Sequence, residues 1–202
     1  NIQVVSSDPS NPIEGQVWYN TTSNVTKGQA TTSAGAWSSG GAMNTGREQG
    51  TGLSVGTKTA GIVYGGDTPT PGGTVNTETY NGSNWTEVNN MVNSRRAGAG
   101  YGTYTSAVSG GSFVGNSGES NKTETWNGTN WTEVANLNTT RAYTAGAGTS
   151  NSNGIIFAGN SPAGNFDDTE SWNGSSWTEV NDLNLARNQL SGSGTATSAL
   201  AY

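Results

Sequence analysis

Apolar residues along this chain come in short runs that alternate with polar ones and are broken by Gly, Asn and Ser, and no stretch carries a helical period. Between residues 96 and 134 the pattern predicts four strands: Arg96–Tyr101, Tyr104–Ser109, Thr123–Trp126 and Trp131–Val134, with Gly110-Gly111 and a polar loop to Lys122 after the second. The last two strands are joined by Trp126-Asn127-Gly128-Thr129-Asn130-Trp131, and matching words stand at Tyr80–Trp85 and Trp172–Trp177. Asn and Gly both tolerate positive φ, so each Asn-Gly predicts a hairpin turn. Counting outward from the turns makes Tyr80 and Trp85, Trp126 and Trp131, and Trp172 and Trp177 cross-strand partners, an aromatic clamp in each unit.

The clamp repeats. Trp85-Thr-Glu-Val, Trp131-Thr-Glu-Val and Trp177-Thr-Glu-Val follow one another at a step of 46 residues, and Ala36-Trp37-Ser38-Ser39 is a degenerate copy. A period of this size marks a repeat protein, with units at about 35–83, 84–129, 130–175 and 176–202. Arg47, Arg96, Arg141 and Arg187 stand before the first strands, Gly65-Gly66 and Gly110-Gly111 follow the second, an aromatic sits in the third and Trp37, Trp85, Trp131 or Trp177 in the fourth. This order, over residues 35 to 202, resembles the Kelch repeat, with Gly159-Asn160 in place of the glycine pair in the third unit.

The resemblance implies an all-β fold, a Kelch-like β-propeller of about four four-stranded blades. The C-terminal Ala199–Tyr202 supplies only first and second strands of a last blade, and residues 15–34 with Trp37 are expected to finish it, within one chain or between chains, which hides sheet edges. Crowding at a narrow axis is the expected reason for the Gly- and Ala-rich first strands. Residues 1–14, with Pro9 and Pro12, are expected to be an extended anchoring segment ahead of a propeller spanning 15–202.

Composition alters this picture in two ways. Hydrophobic residues make up only 30% of the chain, so its seven Trp and seven Tyr must supply much of the core. A charged fraction of 11% argues against a self-repelling disordered chain. The lack of His and Cys excludes imidazole or thiolate metal sites, Ser/His/Asp triads, thiol nucleophiles and disulfides. A net charge of -6 leaves no basic patch for nucleic acid, and no apolar run approaches the ~20 residues of a membrane helix. The chain opens at Asn1 without a signal-peptide pattern.

Candidate chemistry lies in the repeats and their loops. Equal counting sets Glu78 opposite Glu87, Glu124 opposite Glu133 and Glu170 opposite Glu179; paired carboxylates can hydrolyse glycosides, but three equivalent pairs fit a structural role better, solvated or neutralised by Arg or Lys. The four Arg either gather at a mouth to bind an acidic ligand or pair with a Glu or a carbonyl, the second being favoured. Loops 67–76, 112–122 and 160–168 differ between units, as recognition loops do, and nominate Tyr101, Phe113, Phe166 and Asp168 as contacts. Asp67, Asp167 and Asp168 form no dense Ca²⁺ loop, so no metal or cofactor is expected. The many Asn-X-Ser/Thr sites, Asn20, Asn24, Asn121 and Asn138 among them, follow from composition.

The segment Pro12-Ile-Glu-Gly15-Gln-Val-Trp18-Tyr19-Asn20-Thr-Thr22, followed by Lys27, resembles modules that begin bacteriophage tail-fibre and other virion appendage proteins. Together the resemblances imply a non-enzymatic virion structural protein, a fibre, spike or decoration subunit at the particle surface. Its expected partners are other virion proteins, copies of itself and host surface glycans. A secreted bacterial carbohydrate-binding protein or strand-exchanged filament subunit is the alternative, and a glycosidase or lyase comes third.

Overall fold

The computed structural model describes residues 2–11, 13, 16–28, 40–51, 55–69 and 72–202, and among them the chain forms strands and no helix. The expected fourth strand at Trp37 lies outside the described residues. Two compact units emerge, Asn1–Ser39 and Gly40–Tyr202, so the chain divides near residue 39 and not near residue 15.

The reason for that division is visible in the first unit. Strand β1 (Gln3–Val5) pairs in parallel with β2 (Val17–Asn20), which pairs antiparallel with β3 (Val25–Gly28). The segment expected to be an extended lead-in carries a strand at Gln3–Val5, and both edges of β2 are filled. The Asp8 carboxylate ties the sheet together, accepting from Lys27 Nζ (2.6 Å), Trp18 Nε1 (2.9 Å) and Asn20 Nδ2 (2.7 Å). These bonds, that of Lys27 foremost, hold the Asp8 carboxyl down at about 2.

The second unit repeats one antiparallel pattern. Strands β4 (Val55–Thr57), β5 (Ala60–Tyr64), β6 (Thr77–Tyr80) and β7 (Trp85–Val88) form a four-stranded meander. The next sheet comprises β8 (Arg95–Arg96), β9 (Ala99–Thr103), β10 (Ser106–Val114), β11 (Glu119–Trp126) and β12 (Trp131–Val134). A third joins β13 (Ala145–Ser150), β14 (Asn153–Phe157), β17 (Thr169–Trp172) and β18 (Trp177–Val180), with the small hairpin β15 (Asn160–Ser161) and β16 (Gly164–Asn165) in its loop. Last come β19 (Gly192–Thr195) and β20 (Ser198–Ala201), a sheet of two. Among the described residues no sheet closes on itself, and the first strands β4, β9, β13 and β19 lie successively side by side.

Strand limits differ from the sequence expectation in the second sheet. Its first strand starts at Ala99, Tyr104 lies in the turn, and β10 runs on through the glycine pair to Val114. The turn is set by a word that recurs as Gly56-Thr-Lys-Thr-Ala60, Gly102-Thr-Tyr-Thr-Ser106 and Gly194-Thr-Ala-Thr-Ser198. Its glycines have φ of 118°, 116° and 119°, and a Cβ there would meet the carbonyl of Ala60, Ser106 or Ser198 at 2.3, 2.2 and 2.2 Å. Glycine is demanded by the hairpin itself and not by crowding at an axis. Gly146, Gly148 and Gly154 have another cause, the Tyr101 ring of the neighbouring sheet, which an added Cβ would strike at 3.0, 2.5 and 2.2 Å.

Three apolar layers join neighbouring sheets. Val55, Ile62 and Tyr64 pack with Ala107, Trp126 and Trp131; the Tyr64 and Trp131 rings meet edge-on at 4.6 Å, and Tyr64 Oη donates to Val108 O at 2.8 Å. Tyr101 and Val108 pack with Ile156, Trp172 and Trp177 in the second layer, and Ala145, Ala147 and Phe157 with Leu183, Leu190 and Ala201 in the third. Aromatic rings dominate the first two, as the composition requires.

Candidate functional site

The facing glutamates are where counting placed them: Glu78 pairs with Glu87, Glu124 with Glu133 and Glu170 with Glu179. The strain of like charges is relieved asymmetrically. In each pair the first glutamate is buried and the second is exposed. The buried ones each receive an arginine that precedes the Gly-bearing strand β4, β9 or β13 of the same sheet: Arg47–Glu78 at 2.6 Å, Arg95–Glu124 at 3.0 Å and Arg141–Glu170 at 2.6 Å.

Backbone amides complete these staples. Glu78 accepts from Asn44 N (2.6 Å) and Thr45 N (3.0 Å), Glu124 from Val92 N (2.8 Å) and Asn93 N (3.1 Å), and Glu170 from Asn138 N (2.7 Å) and Thr139 N (3.2 Å). Burial alone would raise the Glu78 carboxyl, but the Asn44 and Thr45 amides and Arg47 together hold it below its ordinary range. For Arg95 burial wins: it pushes the guanidinium down against the pull of Glu124.

The arginine in the structural place of the second unit is Arg95, not Arg96. Arg47 and Arg141 have no exposed side chain, so they offer no charge to a ligand at a mouth. Arg187 is partly exposed, and among the described residues its guanidinium donates to Leu185 O at 3.4 Å. Tyr101 is 4% exposed, its ring laid on the glycines of the next sheet, which removes it from the list of contact residues. Phe166 lies 5.9 Å below the Arg141 guanidinium, and the Asp168 carbonyl accepts from Arg141 Nη1 at 2.8 Å. Asp168, Glu179 and Asp182 bring carboxylate oxygens within 4.8 Å of one another, but Glu179 and Asp182 are solvated and Asp182 caps Thr169 N. Three loosely held acids of this kind do not build a cation cage.

The glycine pairs are not equivalent to one another. Strand register places Tyr64, Gly110 and Phe157 at the same point, opposite Thr77, Thr123 and Thr169, so Gly65, Gly111 and Ala158 correspond, with φ of 62°, 56° and 59°. In the third unit Ala158-Gly159 therefore stands for the pair, not Gly159-Asn160. The hairpin clamps form as expected, with ring centroids 5.0 Å apart for Tyr80–Trp85, 5.5 Å for Trp126–Trp131 and 5.1 Å for Trp172–Trp177. Only Gly82, Gly128 and Gly174 take positive φ in their turns. The asparagines act through their side chains, with Asn127 Oδ1 accepting from Thr129 N and Asn130 N, both at 2.9 Å.

What remains near the surface gathers around Phe113. The Arg96 guanidinium lies 5.0 Å over the Phe113 ring, reaches Asp67 at 3.3 Å and Gly115 O at 3.3 Å, and the Tyr143 ring meets Phe113 edge-on at 5.4 Å. Tyr143 also lines an adjoining pocket of about 370 Å³ with Gln49, Ala97, Thr144, Gln189 and Leu190. Gln49, Ala97, Tyr143 and Gln189 hold the same position two residues after the first-strand arginines Arg47, Arg95, Arg141 and Arg187, and all four are left-handed, with φ of 49°, 52°, 52° and 54°. Their backbones are linked in order: Ala97 N donates to Gln49 O (2.8 Å), Tyr143 N to Ala97 O (2.6 Å) and Gln189 N to Tyr143 O (3.0 Å). This conformation is costly for a bulky residue such as Tyr143 and is met mainly where the surroundings impose it.

Sequence reasoning reached Arg96 and Phe113 but not Tyr143, Gln49 or Gln189. Their only signal is the fixed offset from the staple arginine. Amide groups, an aromatic ring and a hydroxyl around a pocket with no charged lining suit a neutral, hydroxyl-rich ligand, with the Arg96–Asp67 pair at its side. No protein-family model matches the chain, and a search of curated proteins finds no match.

Proposed function

We propose that the chain is a non-enzymatic structural protein of a virion surface, a fibre, spike or decoration subunit, whose successive sheets are blades of a Kelch-like propeller and whose loop face binds host glycan. The observation that carries the reading is the contrast between sealed and open chemistry. One carboxylate of each facing pair is buried in an arginine staple and cannot serve as a proton donor or nucleophile, which speaks against the glycosidase alternative. The open groups Tyr143, Gln49 and Gln189 line a pocket on a rigid scaffold, the usual layout of a recognition surface. The amino-terminal module, with its β1–β3 sheet, is the proposed attachment to the particle.

A glycan array tests the binding half. The reading expects binding to a restricted set of neutral glycans and its loss in Tyr143→Ala with the fold intact by circular dichroism; retention in that variant overturns the assignment of the pocket. Immunogold electron microscopy of the source tests the other half: label on capsids or tails supports it, and label confined to cell envelopes overturns it.

A further inference from the structure

We propose that the pocket around Tyr143 takes glycans end-on: it holds the non-reducing terminal sugar, a neutral hexopyranose, with the Tyr143 ring as its packing surface. The inference deepens the glycan reading of this pocket and rests on it. Gln49, Ala97, Tyr143 and Gln189 come from four successive units, are joined in order by backbone hydrogen bonds, and all line the one pocket of about 370 Å³. The residues after them, Gly50, Gly98, Thr144 and Leu190, line it too, and the same four border a second cavity of about 320 Å³. That cavity continues to the next residue of each unit, Thr51, Ala99, Ala145 and Ser191. The hollow therefore runs inward along four chain segments and is walled by all of them. A glycan lying flat across a surface needs a groove open at both ends, whereas a well of this kind admits a chain end. Glycans fixed to a surface by the reducing end present the other one. The outer volume lies near the small end of ligand pockets, about 300 Å³, and suits a single sugar ring.

The rim has the chemistry for that sugar. Gln49 and Gln189 are exposed, and each carboxamide offers both a donor and an acceptor, the pairing that a sugar hydroxyl requires. Thr144 is not a reader, because its Oγ1 donates to Phe157 O at 2.8 Å. No lining residue is charged, so an acidic sugar finds no counter-charge. The half-buried Tyr143 ring supplies the apolar face on which the C–H side of a pyranose packs, and Phe113 holds that ring by its edge-on contact at 5.4 Å. Ala97, next to Tyr143 in the run, carries only a methyl and leaves room for the ligand. The backbone is an independent sign. At φ 52° a bulky residue is strained, and the chain gives comparable positions to glycine at Gly65 (φ 62°) and Gly111 (φ 56°). Glycine would serve a purely structural turn at 143 better, so a tyrosine kept there against the strain points to contact with a ligand.

The test uses the full chain. Saturation-transfer NMR with the methyl glycosides of glucose, galactose, mannose, N-acetylglucosamine and N-acetylgalactosamine is expected to single out at least one that binds. Calorimetry with a linear trisaccharide ending in that sugar should then give one site per chain. Extending its end sugar by a different neutral sugar should weaken binding about tenfold or more, and extending the reducing end should change it by less than about twofold. Tyr143→Gly should weaken binding about tenfold or more while the thermal midpoint stays or rises, since glycine relieves the strain. Gln49→Ala, at an exposed side chain, should weaken binding with the midpoint unchanged. If extended and unextended chains bind alike, or if neutral glycans bind on an array while no methyl glycoside does, end-on capture falls and the glycan reading stands. If no neutral glycan binds in either format, both fall. A lowered midpoint with unchanged affinity in Tyr143→Gly makes the ring structural and overturns its part in the proposal.

Discussion

Replacing Glu170 by Gln should unsettle the third sheet far more than replacing Glu179, its neighbour across the same ladder. Glu170 and Arg141 are 1% and 0% exposed and 2.6 Å apart, so the substitution strands a guanidinium in a place that water does not reach. Breaking a buried pair from one side costs about 3–5 kcal/mol. The Asn138 and Thr139 amides lose a charged acceptor at the same time, which places the effect toward the upper end. Glu179 is solvated, and its change to Gln should stay within about 0.5 kcal/mol. With a urea slope of about 2 kcal/mol/M, the midpoint for E170Q moves down by about 1.5–2.5 M and that for E179Q barely moves. The seven Trp provide the fluorescence signal. The double variant R141M/E170Q should be less damaged than the sum of its parts, with a coupling of about 0.5–3 kcal/mol. Equal midpoints for E170Q and E179Q would refute the staple.

Glu78 gives a pH test: its folded pKa lies below the ordinary 4.5, so its contribution is full above that value and is lost as pH falls toward the folded pKa. Urea midpoints measured from pH 6 to pH 3 should decline, and the decline should be shallower in E78Q. Gly102→Ala, at φ 116° and 2.2 Å from Ser106 O, should lower stability by about 1–3 kcal/mol, whereas Gly46→Ala, with open space around it, should leave the thermal midpoint unchanged or raise it. Tyr64→Phe removes a buried bond to Val108 O and should cost about 1–3 kcal/mol in urea unfolding; Tyr101→Phe removes a hydroxyl that has no partner among the described residues and should cost little or nothing.

The parts legible in the chain are those that depend on counting over short distances. The loops between β6 and β7, β11 and β12, and β17 and β18 have one length, so the ring pairs and the facing glutamates follow from the position of each Asn-Gly. Where two candidates stood side by side, residue type alone misled: Arg95 and Arg96 are adjacent, and only stepping back 46 residues from Arg141 selects Arg95. The same step sets Gly110 against Tyr64, so the visible Gly-Gly pairs were out of phase. The hairpin word around Gly56, Gly102 and Gly194 contains no Asn-Gly, so it lacks the turn signal that marks the other hairpins. Other features depend on distant chain. The parallel β1–β2 pairing joins segments that share no pattern, and the glycines at 146, 148 and 154 answer to a ring at Tyr101 in another sheet. The pocket around Tyr143 has no sequence signature beyond its offset from Arg141.

Each staple draws its arginine and its glutamate from a single repeat, while the backbone of that same arginine leans on the sheet before it, as Arg95 O does on Gly66 N. A tandem duplication in the coding DNA would therefore deliver a copy with its internal lock complete and its joint to the preceding copy included. The lock thus travels with each module, whereas the layer between sheets is matched module to module, as the Tyr101 ring is to Gly146, Gly148 and Gly154.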